Sequence, residues 1–166
     1  MIRMGSGRCQ PRRRKTSSGS ISGLIAPDGG YLVGVFLAAG GPSGSAPSPL
    51  NFTGSAIAGY TTVTGGTGFS ALSPLLDQMF FIGDGLTGNG TGSTQQFFVP
   101  TGATELVLGI SDACGYNGSP SCYADNLGTY TVTASVVNSS SVPEPASFPL
   151  VGAGIMAAVA VRRRMK

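Results

Sequence analysis

Short apolar runs separated by Gly-rich turns make up most of this chain, and no long 3.6-residue period appears in its body. Tyr31–Leu37 is a continuous apolar run interrupted by Gly34, the pattern of a strand buried on both faces. Residues 40–49 hold too little apolar side chain to pack and read as a loop. One short strand is expected within Asn51–Thr64, and a turn over Phe69–Leu76. Gln78–Ile82 and Gln95–Val99 predict two further strands, ended by Gly83-Asp84-Gly85 and by Pro100-Thr101-Gly102. Such spacing fits antiparallel hairpins. Glu105–Ile110 predicts another strand. Thr129–Val136 alternates most cleanly, with Tyr130, Val132, Ala134 and Val136 on one face. The expected fold class is all-β, a sandwich with long loops.

The end of the chain breaks this pattern. Val142-Pro143-Glu144-Pro145-Ala146-Ser147 is followed by an apolar run over 148–161 and then by Arg162-Arg163-Arg164-Met165-Lys166. The prolines favour an extended segment. The run of about 14 residues, taken as a helix, reaches roughly 21 Å, short of a hydrocarbon core of about 30 Å. Arginines at its end can snorkel and hold that end in the cytoplasm. This layout closely resembles the PEP-CTERM sorting signal of Gram-negative bacteria. The resemblance implies a sorting motif at Val142, Pro143, Glu144 and Pro145, and a membrane stop at Arg162, Arg163 and Arg164. It also implies processing by an exosortase, an integral-membrane enzyme, with transient anchoring in the inner membrane. A plain tail anchor or a buried core helix is the competing reading. The expected division is a disordered basic arm over 1–20, a β-sandwich over 21–137, a linker over 138–141 and the sorting signal over 142–166. The signal divides into tag 142–147, hydrophobic helix 148–161 and basic end 162–166.

Charge changes the picture of the body. All ten Lys and Arg lie in the first 15 and the last five positions, and all seven acids lie between them. The formal charge of +3 therefore hides an acidic body. A nucleic-acid binder needs Lys or Arg on a folded face, so that class is excluded. The N-terminus carries a basic region including Arg12, Arg13 and Arg14, but no apolar stretch follows it as an export signal requires. An exported protein needs such a signal, so the expectation is a misassigned start or a truncated gene. Truncation would also remove an early strand.

The concentrated chemistry lies between the last two expected strands, over 111–128. Asp112 closes one strand, and Asp125 and Asn126 precede the next. Pairing of those strands would bring the three side chains together. Hard oxygen ligands on a flexible loop suit Ca²⁺, while spacing alone suits Asp and Asn as turn formers. The segments Phe81–Gly85, Gln96–Pro100, Leu108–Asp112 and Pro120–Tyr130 resemble the bacterial galactophilic lectin family over the second half of the body. That resemblance implies a galactose-binding-like jelly roll. It also implies a Ca²⁺ site at Asp112, the Cys122 carbonyl, Asp125 and Asn126, with the ion holding sugar hydroxyls. The loop here is several residues longer than the family's, and Asp125 stands where the family has Asn. Cys114 and Cys122 lie eight positions apart in this loop. They are either free thiols or, in an oxidising compartment, a bridge that braces the site.

An enzyme is not expected. The chain has no His, its body has no Lys, and no Gly-x-Ser-x-Gly elbow occurs. Gly83–Gly88 lacks the lysine of a phosphate loop. Asn51, Asn89, Asn117 and Asn138 head sequon-like triplets, taken as chance matches. The expected function is that of an exported protein delivered to the cell surface or to an extracellular, biofilm-type matrix. Its role there is structural or adhesive, with calcium-dependent binding of extracellular polysaccharide. The alternatives are a secreted glycoside hydrolase, with Asp112 and Asp125 as its carboxylate pair, and a purely structural matrix protein without ligand.

Overall fold

A computed structural model describes residues 13–15, 17–27, 29–112, 123–125 and 127–137. Eleven strands make up nearly all its regular structure among these residues. They are β1 (Arg13–Lys15), β2 (Leu24–Ala26), β3 (Leu32–Ala38), β4 (Leu50–Asn51), β5 (Thr61–Thr62), β6 (Ala71–Leu72), β7 (Met79–Phe81), β8 (Leu86–Gly88), β9 (Thr91–Thr94), β10 (Gln96–Phe97) and β11 (Ala103–Ile110). Two short 3₁₀ turns, Gly66–Gly68 and Tyr123–Asp125, are the helical segments described. The fold is all-β.

Two larger sheets have the orders β1-β2-β4-β5 and β11-β3-β7, and two small ribbons pair β10 with β6 and β8 with β9. The core draws Leu24 and Ala26 from β2, Val33 and Phe36 from β3, Leu50 and Phe52 from the β4 region, and Phe80 from β7. Both larger sheets therefore contribute to one sandwich-like interior. A chain of rings threads it: Phe36 stacks on Phe80 at 5.2 Å, Phe80 meets Phe97 at 5.1 Å, and Phe97 meets Phe69 edge-on at 5.7 Å. Phe69, Phe52, Phe81 and Tyr31 continue it. Offset and tilted ring pairs of this kind add about 0.5–1.5 kcal/mol each beyond burial. Gly34 sits where a Cβ would lie 2.6 Å from the Phe80 ring, so the interruption in the apolar run is the space that ring occupies.

Buried polar groups stitch the sheets. Ser22 Oγ accepts from Met79 N at 3.0 Å, and Ser22 N donates to Asp77 O at 2.9 Å. The fully buried Asn51 donates to Ser55 O and accepts from Thr53 N and Oγ1. Its amide is satisfied inside the protein.

Several expectations need correction. Residues 1–20 do not form a disordered arm throughout. Arg13–Lys15 pair antiparallel with β2, and Ser18 and Ile21 exchange hydrogen bonds across a two-residue loop in which Gly19 has φ +59°. The segment Asn51–Thr64 touches two short strands, and Phe69–Leu76 contains β6. β7 and β10 do not form a hairpin: β7 pairs with β3, and β10 runs parallel to β6. A partner distant in sequence won over the neighbour in each case. The chain divides into two units, Met1–Tyr130 and Thr131–Lys166. In the second unit Thr131–Val137 are described, exposed and without strand structure. The expected strand Thr129–Val136 is therefore not formed, because alternation specifies a strand only where a ladder partner is present. The expected linker at 138–141, the tag and the hydrophobic helix lie outside the described residues. Among those described, no helix is long and apolar enough to cross a membrane.

Candidate functional site

The loop after β11 starts from a clamped end. Ser111 N donates to Tyr31 O at 2.9 Å, and Gly30 N donates to Ser111 O at 3.0 Å. Asp112 N then bonds back to Ile110 O at 3.1 Å in a tight turn. The far end of the loop returns to the same place, since Tyr130 Oη donates to Gly30 O at 2.7 Å. The two ends of the loop thus meet at the Gly30 peptide. Strand pairing was the expected cause; a backbone clamp and a tyrosine hydroxyl do it instead.

Beneath this closure lies a cavity of about 170 Å³. Its polar lining includes Lys15, Ser111, Asp112 and Tyr123, and its apolar lining includes Val33, Val35 and Met79. Asp112 is 6 % exposed and Ser111 4 %. The Ser111 hydroxyl is buried and has no hydrogen-bond partner among the described residues. A space this size has room for several waters, though most of its wall is apolar. The oxygens of Asp112 and Ser111 are the hard donors that calcium takes. Lys15, 1 % exposed, brings an ammonium to the same space and opposes a second cation. Asp125 lies in the 3₁₀ turn two residues after Tyr123. Its side chain, and Asn126, Cys114 and Cys122, lie outside the described residues. Among the described residues no group of three or more His, Cys, Asp or Glu could hold a metal.

Lys15, Ser111, Tyr123 and Tyr130 were not expected at this site. The two-residue Gly19-Ser20 turn was the available signal for β1, and hence for Lys15. Nothing in the sequence marks Ser111 or Tyr130.

Two other features are structural in character. A wider depression of about 460 Å³ is lined by hydroxyls such as Ser48, Thr61 and Ser73 and by Leu50, Leu72 and Leu75, and among the described residues no charged or aromatic side chain lines it. The Gly83–Gly88 turn is not a phosphate cradle: the Asp84 carboxylate occupies it, accepting from Leu86 N at 3.1 Å and from Gly90 N at 2.6 Å. Those bonds, Gly90's first, hold its carboxyl below the usual carboxylate range.

With this geometry in view, residues 141–164 match the PEP-CTERM protein-sorting motif. A motif of this kind implies an exported protein, anchored transiently at the membrane and processed there by an exosortase before surface release. No curated protein and no solved structure matches the chain.

Proposed function

We propose that the β body is the cargo of the sorting signal, a structural or adhesive jelly-roll-type domain delivered to the cell surface or extracellular matrix. The sorting motif at 141–164 carries this reading. The motif's tag stands apart from the apolar body in sequence, so replacing Pro143, Glu144 and Pro145 with alanine leaves the core intact. Mass spectrometry of the protein released by its native host should then show loss of tail processing. Unchanged release would remove the sorting claim.

The ligand in this reading is carbohydrate held through Ca²⁺ at the loop closed on Gly30. Asp112 would be an ion ligand, with Asp125, Asn126 and the Cys122 carbonyl from the far end of the loop. The supporting observation is the buried Ser111 hydroxyl, without a hydrogen-bond partner among the described residues, lining the same cavity as Asp112. Binding to the folded state alone stabilises it by mass action. A melting temperature that rises with calcium over chelator, and does not rise in Asp112→Ala, is expected. No rise in the folded parent protein would leave a structural matrix protein without this ligand.

A further inference from the structure

We propose that Asn89-Gly90, at the tip of the β8–β9 hairpin, is a site of spontaneous deamidation through a succinimide, and that Asp84 restrains it by holding the attacking nitrogen. The inference goes beyond the sorting and ligand readings and rests on neither. Asn-Gly occurs twice in the chain, at 89–90 and 117–118, and the first pair lies among the described residues. Gly88 of β8 is in register with Thr91 of β9, so Asn89 and Gly90 form a two-residue turn. Both are exposed, and Gly90 has φ +66°. Glycine takes that conformation at no steric cost, and its missing side chain leaves its nitrogen open to the side chain before it.

The reaction needs only water. The Gly90 nitrogen loses its proton to solvent and attacks Asn89 Cγ. The new N–Cγ bond closes the imide ring, the Cγ–Nδ2 bond breaks, and ammonia leaves after taking up a proton in place of the one Gly90 gave. Water then opens either carbonyl of the ring, leaving aspartate or isoaspartate. Either product puts a second carboxylate into the turn beside Asp84. Isoaspartate also adds a backbone carbon to a turn that Gly88 and Thr91 close.

Asp84 stands against the first step. Its Oδ2 accepts from Gly90 N at 2.6 Å and its Oδ1 from Leu86 N at 3.1 Å, so the carboxylate bridges the start of β8 and the hairpin tip. Hydrogen bonds to an ionised acceptor are the stronger kind. This one occupies the N–H that must be lost, and the negative charge disfavours an amide anion beside it. The opposite role, a base that takes the Gly90 proton, is disfavoured. The same two amides hold the carboxyl below its usual range and so make it a weaker base.

Peptide mapping by mass spectrometry, after incubation of the full chain at mildly alkaline pH below its melting temperature, tests the proposal. The folded parent should convert Asn89 more slowly than the same chain unfolded in urea. Asp84→Ala should convert roughly three- to tenfold faster than the parent, the worth of one hydrogen bond, with a melting temperature close to the parent's. Asp84→Asn keeps an oxygen that can accept from Gly90 N but lacks the charge, so its rate should fall between the two. Conversion at Asn117, followed in the same digests, should be equal in all three folded proteins, as a local effect requires. An Asn89 rate in the folded parent equal to that in urea, or an Asp84→Ala rate no faster than the parent's, would overturn the proposal. A slower Asp84→Ala would overturn it by making the carboxylate a base. An Asp84→Asn rate equal to the parent's would overturn the part given to charge. Faster conversion at Asn117 together with Asn89 would overturn the local restraint in favour of general loosening.

Discussion

β3 and β11 lie side by side in one sheet and are made of similar residues, yet they live in different surroundings. β3, Leu-Val-Gly-Val-Phe-Leu-Ala, is paired on both edges and buried along nearly its whole length. β11, Ala-Thr-Glu-Leu-Val-Leu-Gly-Ile, pairs with β3 on one edge, and Leu106, Val107 and Leu108 remain 39–47 % exposed. The difference comes from position in the sheet. A central strand has its faces covered by layers and its edges by neighbours, and an edge strand has one neighbour fewer. Apolar content alone therefore does not report how much a strand contributes to stability.

That contrast predicts a gradient of mutational cost. The largest effect is expected at Phe80, which faces Gly34 of β3 and links two ring pairs. Phe80→Ala should cost about 3–5 kcal/mol, read as a lower urea midpoint with an unchanged slope. A loss below about 1 kcal/mol would contradict a β3-centred core. Gly34→Ala comes next. Its new methyl would meet the Phe80 ring, itself 1 % exposed and boxed in, so overpacking should cost about 1–3 kcal/mol. A neutral result would mean that the ring can yield. On β11 the same logic gives a small number. Leu106→Thr removes little buried surface and introduces a β-branched residue suited to a strand, so a change within about 0.5 kcal/mol is expected. A loss like that at Phe80 would show β11 to be covered in solution.

The smallest effect belongs to Asp84, in the exposed turn that precedes β8. Its folded carboxyl is held below the usual carboxylate range by the Gly90 and Leu86 amides. A depressed pKa contributes stability that is present above the unfolded value and is lost as pH falls through the folded one. The parent should therefore lose slightly more stability than Asp84→Ala between about pH 5 and the acid limit. Because the group is exposed, the gap should be small. Parallel acid-melting curves would dismiss the contribution.

What was legible in the sequence follows the same physics. Tyr31–Leu37, Gln78–Ile82, Gln95–Val99 and Glu105–Ile110 were legible because apolar runs between Gly-rich turns recur as β3, β7, β10 and β11. β8 and β9 were not, since Leu-Thr-Gly and Thr-Gly-Ser-Thr carry almost no apolar signal. In the candidate site Asp112 was legible as an acid at a strand end. Lys15, which lines the same cavity, was not, because it comes from a segment far away in sequence.

Two segments mark the limit. Thr129–Val136 has the better alternation, and no strand forms there; Arg13–Lys15 has none, and it is paired. Sequence by itself determined the all-β class, the acidic body between basic ends and the sorting motif, because composition, charge order and a contiguous tag are local properties. Tertiary structure alone decided which strands pair, that Gly30 gathers both ends of the loop, and that Lys15 is buried beside the cavity of Asp112. Those outcomes depend on contacts between distant segments, and such contacts form only where the whole chain supplies a ladder partner or a cover of apolar side chains.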